Sequence, residues 1–285
     1  MSKKKINPDH VRRRNRPSAN DEVIEQQLQA LLSPSVFKQE SYYRSLGMRS
    51  RILNLPLMVA AILTLLWRQV PSVHELTRML NREALLWCQA VKVSQQALSE
   101  RLLVFPASLF ERVYKDLVPR LIQRWNERTA RPLPPAVAHA RCHFTAIWVA
   151  DGSTLEALFR KLEALKAVES GKLAGKLCLV LDLVRQLPTE LWFSEEAMTH
   201  DTSFTEKLLG FVGDKTLLIL DRGFYDFTFF ARLVDKGCHL ITRLKANATI
   251  ELERSLTKTD TVRDAVIRLG SGQKGAPILE MRLIE

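Results

Sequence analysis

The chain has 285 residues, of which 46% are hydrophobic and 26% charged, with a net charge of +11. This length gives room for about two domains, and the composition excludes a fibrous or wholly disordered chain. The charged N-terminus is unlike a secretory signal, and the apolar run at residues 55–67 is shorter than the ~20 residues of a membrane-spanning helix. The widely spaced cysteines form no C-x-x-C pair, so we expect reduced thiols in a cytoplasmic protein.

The positive charge is confined to the first half of the chain. Residues 1–141 hold 23 Lys and Arg against 11 Asp and Glu, whereas residues 142–285 hold 19 against 20. This imbalance indicates an anionic partner for the N-terminal half, most simply nucleic acid. A basic tail that only aids solubility would account for residues 3–16 but not for the remaining excess.

The N-terminal half is predicted to be a disordered arm followed by helices. Residues 1–20 are basic and poor in apolar side chains, which is typical of disorder. From residue 21 to about residue 130 every segment has helical character, including residues 83–90. The buried character of residues 55–67 predicts a core helix within this domain.

Two of these helices are candidates for DNA recognition. The pair predicted at Val73–Leu80 and Ser94–Leu103 resembles a helix-turn-helix reader of the major groove, and Ser94 is a suitable N-cap. The side chains expected to contact DNA are Gln95, Gln96, Ser99 and Arg101. The stretch between the helices is longer than the compact motif allows, so the polar face of a helical bundle is an equal alternative.

The proline-rich stretch Arg131–Pro135 interrupts the helical pattern and predicts a stiff linker. Beyond it the apolar runs predict strands at 143–150, 176–183, 189–193, 217–220 and 239–245. Helices are predicted between them at 155–169, 201–211 and 226–236. Asp201 and Asp226 are expected to cap the last two of these helices, and Asp182 is expected to be structural.

Two of the predicted strands end in an acid. Asp151 follows the run Ala146–Ala150, and Asp221 follows Leu217–Leu220. Open α/β sheets place their chemistry at the carboxyl ends of strands, so acids on neighbouring strands meet at one edge. Paired carboxylates without nearby His or Cys suit Mg²⁺ or Mn²⁺. The alternative for Asp221 is an ion pair with Arg222 or a cap on the following helix.

Three motifs carry a resemblance to a known family. Asp151-Gly-Ser-Thr, Leu220-Asp221-Arg-Gly-Phe-Tyr and Thr242-Arg-Leu-Lys245 resemble the core of an insertion-sequence DDE transposase with the Y-R-E-K signature. The helical segment before Phe105-Pro106 is also similar to the N-terminal region of such proteins. The resemblance and the order of elements imply an α/β fold class, in which an all-helical N-terminal domain precedes a ribonuclease H-like mixed-sheet core.

This resemblance implies metal-dependent cleavage and strand transfer at the ends of an insertion sequence. Three carboxylates usually hold the Mg²⁺ or Mn²⁺ cofactor, and Asp151 and Asp221 match two of them. Arg243 and Lys245 are expected near the DNA backbone, with plain solvation as the alternative, and Arg222 is expected to orient Asp221. The implied partners are transposon-end DNA, target DNA and a second copy of the chain in a homodimer.

The third catalytic acid of the family, a Glu on a helix with Tyr, Arg and Lys, has no match in this sequence. Tyr225 is the only tyrosine after Asp221, and Thr228 stands where the signature has Arg. We therefore expect a chain that is cut short inside a β-rich insertion, and that binds DNA without efficient cleavage.

The predicted organisation is a basic arm (1–20), a helical DNA-binding domain (21–130), a linker (131–140), a partial catalytic core (141–249) and the start of the β-rich insertion (250–285). An alternative function is a DNA-binding remnant that occupies transposon ends and inhibits an intact relative. A phosphohydrolase with Asp151 as nucleophile is disfavoured, because Ser153 stands where its D-x-D motif needs the second Asp.

Overall fold

The computed structural model describes residues 21–128, 132–154, 175–196, 198–270 and 275–285. The arm expected at 1–20 and the helix expected at 155–169 lie outside these residues. The chain divides into two compact units, residues 1–70 with 74–98 and residues 71–73 with 99–285. This division falls inside a helix, upstream of the linker at 131–140 where the sequence predicts a domain boundary.

The described part of the first unit is organised around one apolar helix. Its helices are α1 (Asp21–Phe37), α2 (Glu40–Ser45), α3 (Leu55–Trp67), α4 (Val73–Arg82) and the start of α5 (Gln95–Leu103). The side chain of Asn54 accepts a 3.0 Å hydrogen bond from the Leu57 N–H and so begins α3. Helix α3 packs against α1 and buries seven of its side chains, which confirms the prediction of a core helix.

The segment between α4 and α5 is a turn, so the prediction of a helix at residues 83–90 was wrong. Leu85 and Cys88 exchange two backbone hydrogen bonds of 2.9 Å, and Leu86 adopts a φ of 52°. The side chain of Asn81 accepts from the Val93 N–H at 2.8 Å and donates to the Val93 carbonyl at 3.3 Å. Leu85 is fully buried, because apolar residues in a tight turn can fill a core as well as those of a helix.

The second unit contains a mixed five-stranded sheet. Helices α6 (Ala107–Asn126) and α7 (Pro135–Arg141) precede it in the chain, and α6 packs on its edge strand β3. The strands are β1 (Ala146–Thr154), β2 (Lys176–Asp182), β3 (Leu187–Ser194), β4 (Thr216–Leu220) and β5 (His239–Thr242), in the spatial order β3-β2-β1-β4-β5. Strands β1, β2 and β3 are antiparallel neighbours, as predicted for β2 and β3, whereas β4 runs parallel to both β1 and β5.

Two further α-helices complete the layer over this sheet. A short 3-10 helix (Asp201–Phe204) leads into α8 (Thr205–Phe211), and α9 (Phe227–Asp235) follows β4. The side chain of Asp226 accepts from the Phe229 N–H at 2.7 Å, which confirms its predicted role as the cap of α9. Gly237, with a φ of 72°, ends α9 as predicted. Aromatic and leucine side chains of these helices and of β4 form one buried cluster.

A separate antiparallel sheet follows, made of β6 (Ile250–Lys258), β7 (Arg263–Leu269) and β8 (Leu279–Ile284) in that order. Alternate residues of the central strand, Ala265, Ile267 and Leu269, are buried in the same cluster as the helices of this unit. The described residues thus form a mixed α/β protein. Among them, none of the helices combines the length and the apolar character that crossing a bilayer requires.

Candidate active site

The pairing of β1 with β4 brings the two predicted acids together. These strands are parallel, and Ala150 lies opposite Leu220 in their register. Asp151 and Asp221 are the next residues along the two strands, so they occupy adjacent positions at one edge of the sheet. Parallel neighbouring strands are spaced about 4.8 Å apart, which is close enough for two carboxylates to share one cation.

The two acids have different local settings. Asp221 is half-buried and directly follows β4, and its Oδ1 accepts a 2.8 Å hydrogen bond from the Gly223 N–H. Asp151 is exposed and lies inside β1, which continues to Thr154 instead of ending before the acid as predicted. Antiparallel pairing with β2 prolongs the strand, since Asp151 lies opposite Leu179.

Sequence reasoning missed a third acid beside these two. Asp201 was predicted to cap a helix, but it is the first residue of the 3-10 helix, whose N-cap is His200. Its carboxylate lies against the backbone of Gly152 and Gly223 instead, and Lys176 Nζ is 2.6 Å from its Oδ1. The signal in the sequence was a glycine one or two residues after each predicted site acid, because glycine marks close approach of another group to the backbone.

The buried Cys178 of β2 lies within the electrostatic influence of two of these acids. It is fully buried in β2, and burial raises the pKa of its thiol to about 12, with smaller raising contributions from the negative charges of Asp201 and Asp151. Both carboxylates therefore act on this one position. All four cysteines are free thiols, in line with the expectation from the sequence.

We expect a thiol reagent at neutral pH to modify the exposed Cys142 and to leave Cys178 unmodified until the protein unfolds. The thiolate is the reactive form, and a raised pKa lowers its fraction at neutral pH. Peptide mapping by mass spectrometry would measure the labelling of each cysteine. Labelling of Cys178 as fast as that of Cys142 would contradict the packing of β2 at this edge.

Asp182 has the structural role that the sequence predicts for it. Asp182 ends β2 and is 2% exposed. Its Oδ1 accepts from the N–H groups of Val184 and Arg185 at 2.8 and 2.9 Å, and its Oδ2 accepts from Arg185 Nη1 at 2.6 Å. These bonds hold the turn between β2 and β3, so Asp182 is structural.

Three basic residues were predicted to surround the acids. Thr242 lies opposite Leu220 across β4 and β5, so Arg243 follows at the same edge as Asp221 and is exposed. Lys245 Nζ lies 4.9 Å from the ring centroid of Tyr225, beside a pocket of about 200 Å³. Arg222 is exposed, and the described bond to Asp221 Oδ1 comes from Gly223, so the predicted orienting role of Arg222 stays a prediction.

The residues of the predicted helix-turn-helix that were expected to contact DNA all lie on α5. Ser94 caps this helix as predicted, because its Oγ accepts from the Ala97 N–H at 3.2 Å. Gln95 and Gln96 are exposed on the first turn, and Gln95 Oε1 lies 3.0 Å from His74 Nδ1 of α4. Ser99 and Arg101, further along, are half-buried.

The described residues contain no group of three His, Cys, Asp or Glu side chains placed to hold a metal ion. Two adjacent carboxylates at a strand edge nevertheless fit a hard cation in part, since oxygen is the ligand that Mg²⁺ prefers. A scan against protein-family models and a search of curated proteins found no match to this chain.

Proposed function

We propose that this chain carries the metal-binding acids of a DNA transposase of the DDE type. The observation that carries the proposal is the placement of Asp151 and Asp221 at adjacent positions of two parallel strands. Both residues stand in motifs that resemble those of the Y-R-E-K family of insertion-sequence enzymes. The proposed reaction is phosphoryl transfer on DNA, with water or a 3′-hydroxyl as nucleophile.

The strand arrangement supports a ribonuclease H-like core. Three antiparallel strands are followed by two that run parallel to the first, in the order β3-β2-β1-β4-β5. In such a core the acids of the first and fourth strands lie side by side, as Asp151 and Asp221 do here. The small sheet β6–β8 then corresponds to the start of the β-rich insertion.

The residues of the proposed site have separate roles in metal binding and DNA binding. Mg²⁺ or Mn²⁺, when bound, activates the attacking oxygen and stabilises the leaving one. Asp151 and Asp221 would hold the ion, and the Gly223 N–H fixes the orientation of the Asp221 carboxylate. Arg243, one strand further along the same edge, would bind a phosphate of the DNA backbone.

The positive charge of the N-terminal half supports DNA as the partner. Lys and Arg exceed Asp and Glu in residues 1–141 by 23 to 11. In this proposal the polar first turn of α5 reads base edges, while the surrounding basic residues neutralise phosphates. Binding should therefore weaken steeply as salt is raised.

The test is incubation of the protein with labelled duplexes that cover the DNA flanking its own gene, with Mg²⁺, Mn²⁺ or EDTA. The proposal predicts binding in all three conditions and nicking only with a divalent cation. The nicking should be slow, because the described residues supply two acids to a reaction that usually employs three. Tight, salt-insensitive binding or no binding to any duplex would contradict the proposal.

A second function is favoured by the lack of a three-ligand metal cluster among the described residues. In this case the protein occupies transposon ends without cutting them and so inhibits an intact relative. The same assay separates the two functions. Binding without nicking, unchanged by replacement of Asp221, would support the inhibitor and not the enzyme.

A further inference from the structure

Asp201 lies between the two backbone segments that carry the proposed site acids. A Cβ added to Gly152 would be 1.9 Å from Asp201 Oδ1, and one added to Gly223 would be 1.9 Å from Oδ2. Gly152 directly follows Asp151, and the Gly223 N–H donates to Asp221 Oδ1. Oδ1 of Asp201 thus lies against the segment that contains Gly152, and Oδ2 lies against the segment that contains Gly223.

Lys176 holds this carboxylate in place. The side chains of Lys176 and Asp201 are 12% and 13% exposed, and Nζ lies 2.6 Å from Oδ1. Among the residues that the structure describes, the buried Oδ1 has no hydrogen-bond partner, so this close approach lies outside hydrogen-bonding angles. The contact is therefore an ion pair that offsets the cost of burying the charge of Asp201.

The three carboxylates and Lys176 fit a single divalent cation, while the basic Arg222 and Arg243 nearby are exposed to solvent. Asp151, Asp201 and Asp221 carry one negative charge each when ionised, and Lys176 cancels one of them. Two negative charges remain, and they belong to the two acids at the strand edge. Asp201 thus affects the site through the space that its side chain fills, because Lys176 balances its charge.

We propose that Asp201 is a positioning residue, whose carboxylate sets the spacing between Asp151 and Asp221 for metal binding. This inference rests on the proposed function, because it concerns the same metal site. A spacer acts through its size and position and not through its charge. A neutral side chain of the same shape should therefore preserve metal binding, provided that the charge of Lys176 is removed as well.

The test is Mn²⁺ binding by the full chain, measured by electron paramagnetic resonance for two charge-balanced double variants. Asp201→Asn with Lys176→Met keeps the shape of both side chains, and its affinity should stay within about threefold of wild type. Asp201→Ala with Lys176→Met keeps the charge balance but removes the spacer. Its affinity should fall by more than about tenfold, as when other groups that orient metal ligands are lost.

A second pair of variants tests the same claim without replacing Asp201 or Lys176. Gly152→Ala adds a methyl group that must displace Asp201, so it should weaken Mn²⁺ binding by more than about tenfold. Gly210→Ala is the matched control, because its added Cβ meets no atom within 4 Å among the described residues outside its own helix backbone and chain neighbours. Its Mn²⁺ binding should equal that of wild type.

The outcomes separate this inference from the proposed function. Wild-type affinity in the Asp201→Ala double variant or in Gly152→Ala would overturn the positioning role alone. Equal loss in both double variants would show that the charges of Asp201 and Lys176 are required and not the shape of Asp201, which also overturns a spacer. A wild-type chain that binds no Mn²⁺ would overturn the proposed function, and this inference with it.

Discussion

Replacing Asp221 by asparagine is expected to weaken Mn²⁺ binding by more than about tenfold and to leave the melting temperature unchanged or slightly higher. Asn keeps the Oδ1 acceptor for the Gly223 N–H, so the local turn is retained. The variant removes a negative charge next to Asp151, which relieves repulsion in the metal-free protein. Calorimetric titration with Mn²⁺ and a thermal melt would measure the two effects.

Asp226→Asn is the matched control for this prediction. Asp226 is exposed and close to Asp221 in sequence, but its Oδ1 accepts from the Phe229 N–H as a helix cap. Asn is an equally good cap, so both Mn²⁺ affinity and stability should be unchanged. If Asp221→Asn bound Mn²⁺ as wild type does, Asp221 would not be a metal ligand.

Replacing Asp182 by alanine is expected to change stability and not Mn²⁺ binding. The free energy of unfolding should fall by about 3 kcal/mol. The variant leaves the N–H groups of Val184 and Arg185 without their acceptor and the Arg185 guanidinium without its carboxylate. Arg185 is partly exposed, and water can solvate it, so the loss should lie at the low end for a broken buried pair. Denaturant unfolding would measure the change.

At temperatures where the Asp182→Ala variant is folded, its Mn²⁺ affinity should equal that of wild type. Asp182 lies at the opposite end of β2 from Lys176 and is engaged by the turn that leads into β3. A variant with unchanged stability but weaker Mn²⁺ binding would show that this acid belongs to the metal site.

Much of the second unit was predictable because its strands carry local signals. The apolar run Leu217–Leu220 and the acid after it predict a buried strand and its functional end, and β4 is found at 216–220. The acceptor role of Asp226 also follows from local sequence, since an Asp before an apolar helix is a favoured cap. Such features depend on a few neighbouring residues.

The features that were missed depend on contacts between distant parts of the chain. Asp201 has the sequence context of a cap, but its carboxylate is drawn to Lys176 and to the space that Gly152 and Gly223 leave open. Similarly, Leu85 and Leu86 fit a helical pattern, yet the bond between Asn81 and Val93 closes a turn there. Periodicity does not encode such pairings.

Cleavage of the polypeptide by bound iron would test the central claim most directly. Fe²⁺ can replace Mg²⁺ at oxygen ligands, and with ascorbate and peroxide it produces hydroxyl radicals that cut the backbone close to the ion. If Asp151 and Asp221 share one cation, wild-type protein should be cut beside both residues, and Asp221→Asn or excess Mg²⁺ should suppress both cuts together. Cuts beside only one of the two acids, or at neither, would contradict a shared metal site at the edge of β1 and β4.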